Sequence, residues 1–131
     1  MGNRRAFDEA IQWVLSAASR QHHDVTVVVV DLDGLKQVND TSGHAAGDAA
    51  LVSLVHGLYE TLRDEDMLFR IGGDEFAVVL PFTSVEAAEG LMRRVVGETP
   101  AFTWGAAGYA TDAQSAAELV AVADADMYRR R

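Results

Sequence analysis

The sequence predicts an α/β fold of the α+β sandwich kind: a ferredoxin-like βαββαβ unit with an extra helix at each end. Three observations predict it. Segments of helical period alternate with short apolar runs in the order helix, strand, helix, strand, strand, helix, strand, helix. A dense β-branched run, Val25 to Val30, is apolar on both faces and reads as a buried central strand. A glycine pair, Gly72-Gly73, sits between two apolar runs and reads as the tip of a hairpin. One sheet face is expected to carry helices, with the hairpin tip and the end of the first strand converging on one rim.

Composition bounds the function. A chain of 131 residues forms one domain with one core. Hydrophobic residues are 49% and charged residues 24%, as in an ordinary soluble globular protein. There is no cysteine, so neither a disulfide framework nor a cysteine metal site is expected, which fits a reducing cytoplasm. No apolar run approaches a membrane-spanning length, and no signal peptide opens the chain. The net charge of −9 repels nucleic-acid backbones and disfavours a DNA or RNA partner. An acidic protein still binds a nucleotide when a divalent metal bridges carboxylate and phosphate.

Each element follows from its pattern. Phe7, Ile11, Val14, Leu15 and Ala18 mark a first amphipathic helix. The central strand ends at Asp31, and Asp31-Leu32-Asp33-Gly34 leaves the sheet. A carboxylate at the carboxyl end of a central strand suits a metal ligand. A turn former or helix cap would read the same way. Beyond Lys36 to Asp40, the residues Leu51, Leu54, Val55, Leu58 and Leu62 mark what should be the longest helix, with Asp48 in its first turns. The helix dipole alone would favour an acid there, and Asn39 alone could be a turn residue.

Leu68, Phe69 and Ile71 precede the glycine pair, and Phe76 to Leu80 follow it. The glycines are expected to supply the positive φ of a tight turn, with Asp74 and Glu75 projecting beside it. Val85, Ala88, Leu91, Met92 and Val95 mark a further helix, stopped by Gly97-Glu98-Thr99-Pro100. Phe102 to Ala107 reads as a strand. Ala116, Leu119, Val120, Ala123 and Met127 close the chain as a helix. The four histidines form no credible metal cluster, and Trp13 and Trp104 read as core or dimer contacts.

Two stretches resemble one family. Gly72-Gly73-Asp74-Glu75-Phe76 resembles the signature of the GGDEF family, the diguanylate cyclases of bacterial signalling. The ungapped run from Asp31 to Asp48 resembles its second signature: an acidic-apolar-acidic triplet, a basic position, asparagine-aspartate, glycine-histidine and glycine-aspartate. Asn3-Arg4-Arg5-Ala6-Phe7 is similar to the family's opening segment, Thr103-Trp104-Gly105 to a family strand, and Asp124 and Tyr128 to its closing aspartate and tyrosine. Two departures stand out. The connection before Phe102 is shorter than usual, which implies the absence of an edge hairpin. Asp126 replaces a small apolar residue and is expected to abut the helix's apolar stripe. Residues 1–131 are therefore expected to be a single GGDEF domain, excised from a longer multidomain signalling protein and with Met1-Gly2 a trimmed start.

The resemblance implies a palm like those of nucleotide cyclases and polymerases, and a reaction. Joining two GTP into cyclic di-GMP with loss of two pyrophosphates is phosphoryl transfer, which needs charge neutralisation and in-line positioning. The implied cofactor is Mg2+ or Mn2+, with Asp31, Asp74 and the Leu32 backbone carbonyl as ligands. Asp74 and Glu75 are the implied catalytic pair. Glu75 is either a ligand or the group that deprotonates the 3′-hydroxyl. Asn39 and Asp48 match the family's guanine readers; an ionised Asp48 accepts from guanine N–H groups and suits adenine poorly. Lys36 and Arg131 match its phosphate contacts. Arg63, Asp66 and Arg94 match its inhibitory product site, although Arg63 to Asp66 could be a solvated charge cluster and Arg93-Arg94 a wet helix face. Catalysis would require a transient homodimer, because each domain holds one GTP. The location would be cytoplasmic, as a domain of a larger sensor protein. The alternatives are a catalytically weak or inactive module that binds GTP or cyclic di-GMP, and a purely structural dimerisation domain.

Overall fold

The computed structural model describes residues 1–96 and 100–131. The expected helix stop at Gly97 to Thr99 lies outside the described residues. In chain order the elements are α1 (Arg4–Gln21), β1 (Val25–Leu32), α2 (Leu35–Ser42), α3 (His44–Thr61), β2 (Met67–Arg70), β3 (Glu75–Pro81), α4 (Val85–Val96), β4 (Phe102–Gly108) and α5 (Ala116–Arg130). Among the described residues the strands form one sheet in the order β2-β3-β1-β4, with every neighbouring pair antiparallel. The βαββαβ reading of the sequence holds.

The Val25 to Val30 run is central, as its two-sided hydrophobicity requires. Val28, Val30 and Leu32 point to one face, where Leu54 and Leu58 of α3 and Leu91 and Met92 of α4 cover them. Val25, Val27 and Val29 point to the other, under Phe7 and Ile11 of α1 and Leu119 and Ala123 of α5. The expectation that one face carries helices is therefore incomplete. The helices inside the βαββαβ unit cover the first face, and the two added helices cover the second. A strand that is apolar on both faces needs both covers.

The long helix with Asp48 in its first turns is α3, and α2 before it was not expected. The stretch expected to lead into a single long helix is broken at Gly43, whose φ of 86° is a backbone conformation that side chains disfavour. Gly43 closes α2 through its N–H to the Asn39 carbonyl at 2.9 Å and opens α3 through its own carbonyl to the Gly47 N–H. Helix α3 is no longer than α1, at 18 residues each.

Candidate active site

The β1–β3 register sets one rim. Asp31 faces Glu75 as a Cα partner, and Leu32, the last residue of β1, donates its N–H to the Asp74 carbonyl at 3.0 Å. The end of the central strand and the base of the hairpin therefore meet, as expected. The hairpin itself differs in detail. Strand β2 ends at Arg70 and β3 begins at Glu75, so the connection is longer than a two-residue turn. Among the described glycines only Gly34 and Gly43 have positive φ; Gly72 and Gly73 do not. A longer loop does not demand the left-handed conformation, which corrects the role expected for that pair. Arg70 fixes the loop instead: its guanidinium donates to the Gly72 carbonyl, at 3.3 Å, and to the Gly73 carbonyl.

Asp31 lies at the centre of this rim. Its Oδ2 accepts from the Arg131 guanidinium, at the end of α5. Its Oδ1 is buried and has no partner. Burial pushes the Asp31 carboxyl up to about 6; Arg131 pulls against this, and the neighbouring Asp74 carboxyl adds to it. Two close acids and a buried oxygen without a donor are a donor set that fits a hard divalent cation. Glu75 is exposed on the adjoining strand. Among the described residues no group of three His, Cys, Asp or Glu side chains is arranged to hold a metal; Glu75 is the cross-strand partner of Asp31.

A second part of the site lies on α2 and α3. Asn39, on α2, has a buried Oδ1 with no partner. It packs on Gly47, where an added Cβ would sit 1.8 Å from that oxygen. Asp48 follows in the same first turns of α3; it is exposed and unpaired among the described residues. Lys36 is exposed on the first turn of α2. The break at Gly43 is what folds α2 back, so that Asn39 meets Gly47, the residue before Asp48.

The residues expected at a product site divide. Asp66 has a fully enclosed side chain, 0% exposed, and both its oxygens hold Arg63: Oδ2 accepts from the Arg63 backbone N–H at 2.8 Å and Oδ1 from its guanidinium at 3.1 Å. The same guanidinium donates to the Pro81 carbonyl at 3.1 Å and to Thr83. Asp66 thus orients Arg63, and Arg63 alone offers an open face. Arg94 is exposed in the last turns of α4, roughly 14 Å further along the helix axis than Val85.

A family model described as "Diguanylate cyclase, GGDEF domain" matches residues 1–131. The chain belongs to the GGDEF family. Among curated relatives, the probable diguanylate cyclase DgcE of Escherichia coli is 40% identical over 96 residues, covering 73% of this chain and 9% of that protein. The diguanylate cyclase TpbB of Pseudomonas aeruginosa is 34% identical over 140 residues, covering 96% of this chain and 32% of that protein. The chain thus spans a small part of these relatives' length. Among solved structures, the GGDEF-only form of TpbB (YfiN) from Pseudomonas aeruginosa superposes with a TM-score of 0.94 at 31% identity, over 99% of this chain and 84% of that one. A microbial GGDEF domain described in its interaction with cyclic di-GMP superposes at 0.85 with 35% identity, over 98% of this chain and 86% of that one. The family is that of cyclic di-GMP synthesis. No helix among the described residues is long and apolar enough to cross a membrane.

Sequence reasoning missed what three GGDEF-domain residues do in the structure. Gly47 lies inside the second signature, and only the contact with Asn39 gives it a purpose. Arg70 opens the hairpin stretch, but nothing local says that it turns back onto the glycine carbonyls. Asp126 was expected to abut an apolar stripe; instead it accepts the Ala106 N–H of β4 at 3.0 Å. Of the two tryptophans, Trp104 is buried, whereas Trp13 is 77% exposed and is not a core residue.

Proposed function

We propose that this chain is one half of a diguanylate cyclase. It binds one GTP, pairs with a second copy, and the two nucleotides are joined into cyclic di-GMP with release of two pyrophosphates. One observation carries the reading. Among the described residues, the buried side-chain atoms without a partner are Asp31 Oδ1 and Asn39 Oδ1, the first in the acidic cluster and the second in the base-reading pair. A buried oxygen without a donor is costly, and a ligand that supplies the donor or cation recovers that cost.

Mg2+ or Mn2+ is the proposed cofactor, held by Asp31, Asp74 and the Leu32 carbonyl. A bound divalent cation neutralises charge on the α-phosphate and the departing pyrophosphate. Asn39 and the ionised Asp48 accept from guanine N1–H and its amine; adenine offers no N1–H. Lys36 and Arg131 meet the triphosphate. Glu75 adjoins the acidic pair, where it takes the 3′-hydroxyl proton or adds a ligand oxygen. The attacking 3′-hydroxyl comes from the nucleotide on the facing copy, so specific activity should rise with protein concentration. Arg63, oriented by Asp66, is the proposed contact for the product, with Arg94 as a secondary one. The proposed setting is cytoplasmic, within a larger sensor protein.

The test is to incubate concentrated protein with GTP and Mg2+ and to identify product by mass, beside Glu75→Gln. Cyclic di-GMP from the parent and none from the variant supports the cyclase. No product, but thermal stabilisation by GTP or cyclic di-GMP, replaces it with a binding module. Neither product nor stabilisation leaves a structural dimerisation domain.

A further inference from the structure

The last turn of α5 is tied down by contacts that the proposed reaction does not explain. Among the described residues strand β4 is an edge of the sheet, and outward-facing N–H groups on an edge strand need partners. The Ala106 N–H finds Asp126 Oδ2 at 3.0 Å, and the Gly108 N–H finds Asp112 Oδ2 at 2.8 Å. Asp126 Oδ2 also accepts from Arg130 Nε at 3.0 Å, and its Oδ1 accepts from Arg129 at 3.2 Å. The Arg130 guanidinium lies 3.8 Å over the Trp104 ring and reaches Glu89 of α4 at 4.0 Å. Asp126 therefore joins the helix to the β4 backbone, and Arg130 carries the tie round the strand edge to α4.

The next residue in the chain is Arg131, whose guanidinium pairs with Asp31. Strand β4 leads to the same place: Thr103, next to Trp104, is the cross-strand partner of Asp31. Gly105 allows the close approach. A Cβ there would lie 2.1 Å from the Ala123 carbonyl oxygen and 2.2 Å from the Met127 nitrogen.

We propose that Asp126 is a positioning residue for the nucleotide site: by fixing the last turn of α5 on β4, it holds Arg131 beside Asp31, where polyphosphate charge is met. The inference rests on the GTP reading given above. A helix terminus without such a tie frays, and a long arginine side chain then samples many rotamers. Asp126 touches neither the proposed nucleotide nor the metal ligands. Its effect passes through Arg130 and the course of the helix backbone.

The experiment compares the parent with Asp126→Ala, Asp126→Asn, Arg131→Ala and Asp126→Ala combined with Arg131→Ala. Without nucleotide, the Arg131 Nε–H is followed by NMR. The parent and Asp126→Asn, whose amide oxygen still accepts the Ala106 N–H, should show an ordered signal; Asp126→Ala should lose it. With GTP and Mg2+, Asp126→Ala should raise KM roughly threefold to tenfold with kcat within about twofold. Asp126→Asn should stay close to the parent, and the combined variant should be no worse than Arg131→Ala alone. An ordered Arg131 signal in Asp126→Ala overturns the inference whatever the nucleotide does. So does a combined variant whose KM change is the product of the two single ones. A parent that binds no GTP refutes the GTP reading instead, and the NMR comparison still decides whether Asp126 places Arg131.

Discussion

Replacing Gly47 by alanine probes the tightest contact in the proposed guanine site. The added Cβ would lie 1.8 Å from Asn39 Oδ1, 2.8 Å from Asn39 Cγ and 3.2 Å from Leu35 Cδ1. The first two separations are impossible for non-bonded atoms, so something must move. The Asn39 amide is the free end of a side chain, whereas Gly47 is built into α3, so the amide yields and the helix does not. Losing the partner of a buried hydrogen-bonding group costs about 1–3 kcal/mol, or roughly five- to 150-fold in GTP affinity. Stability should move the other way, because alanine in a helix is favoured over glycine by up to about 1 kcal/mol. Calorimetric titration with a non-hydrolysable GTP analogue and Mg2+, beside thermal melts, separates the two effects. The expected result is weaker nucleotide binding with an equal or higher melting temperature. In an Asn39→Ala background, Gly47→Ala should cost nothing further. Unchanged affinity, an equal further loss in that background, or a lowered melting temperature would each refute the argument.

Gly105→Ala should do the opposite. Its Cβ meets backbone of α5, at 2.1 Å and 2.2 Å, so the helix must lift off β4; overpacking of this kind costs about 1–3 kcal/mol or more, and an unchanged melting temperature would contradict it. Arg70→Ala frees the Gly72 and Gly73 carbonyls; it should speed amide exchange around Gly73 and Asp74 and lower kcat while leaving the melting temperature within about 2 °C, as expected of an exposed contact. Acid should find Asp126. Burial raises its carboxyl, but the Ala106 N–H, Arg130 and Arg129 outweigh this and hold it below its usual 3.8. A carboxyl depressed in the fold stabilises above its unfolded pKa and loses that stability as pH falls through the folded value. The stability difference between parent and Asp126→Asn should therefore be constant above about pH 5 and shrink below it. A difference that stays flat down to about pH 2 would show that Asp126 is not depressed.

The parts of the fold that were legible in the sequence are those set by a local period. The Val25 to Val30 run announced a strand buried on two faces, and alternate valines do face two separate cores. What the run could not announce is which helices cover each face, because that depends on contacts far apart in the chain. The α2–α3 break turns on one backbone angle at Gly43, and the run from Asn39 to Ser42, poor in helix formers, conceals that a helix precedes it. Among site residues, Asp31, Asp74 and Glu75 could be placed on one rim because the end of a central strand and the loop of a hairpin can meet only where the strands end. Asp66 was legible as a charge but not as a fully enclosed one, since its partner Arg63 also reaches Pro81 and Thr83 some 20 residues on. Asp126 reads as misplaced on an apolar stripe until the edge of β4 supplies the N–H that it accepts.

The charge balance explains why cations matter at this rim. The chain carries a net charge of −9, and Asp74 lies close enough to Asp31 to oppose ionisation of the Asp31 carboxyl. A triphosphate approaching such a rim meets repulsion unless positive charge stands there first. Arg131 is the residue that the fold delivers directly onto Asp31, and the delivery depends on the Asp126–Arg130 tie across the β4 edge. The acids that would hold a metal and the arginine that would meet a phosphate are thus parts of one electrostatic arrangement. The hydrophobic cores on both sheet faces supply the rigidity that keeps like charges together, and an apolar interior transmits strain rather than relaxing it. Loosening either the hairpin at Arg70 or the helix end at Asp126 should therefore weaken the same site from opposite sides.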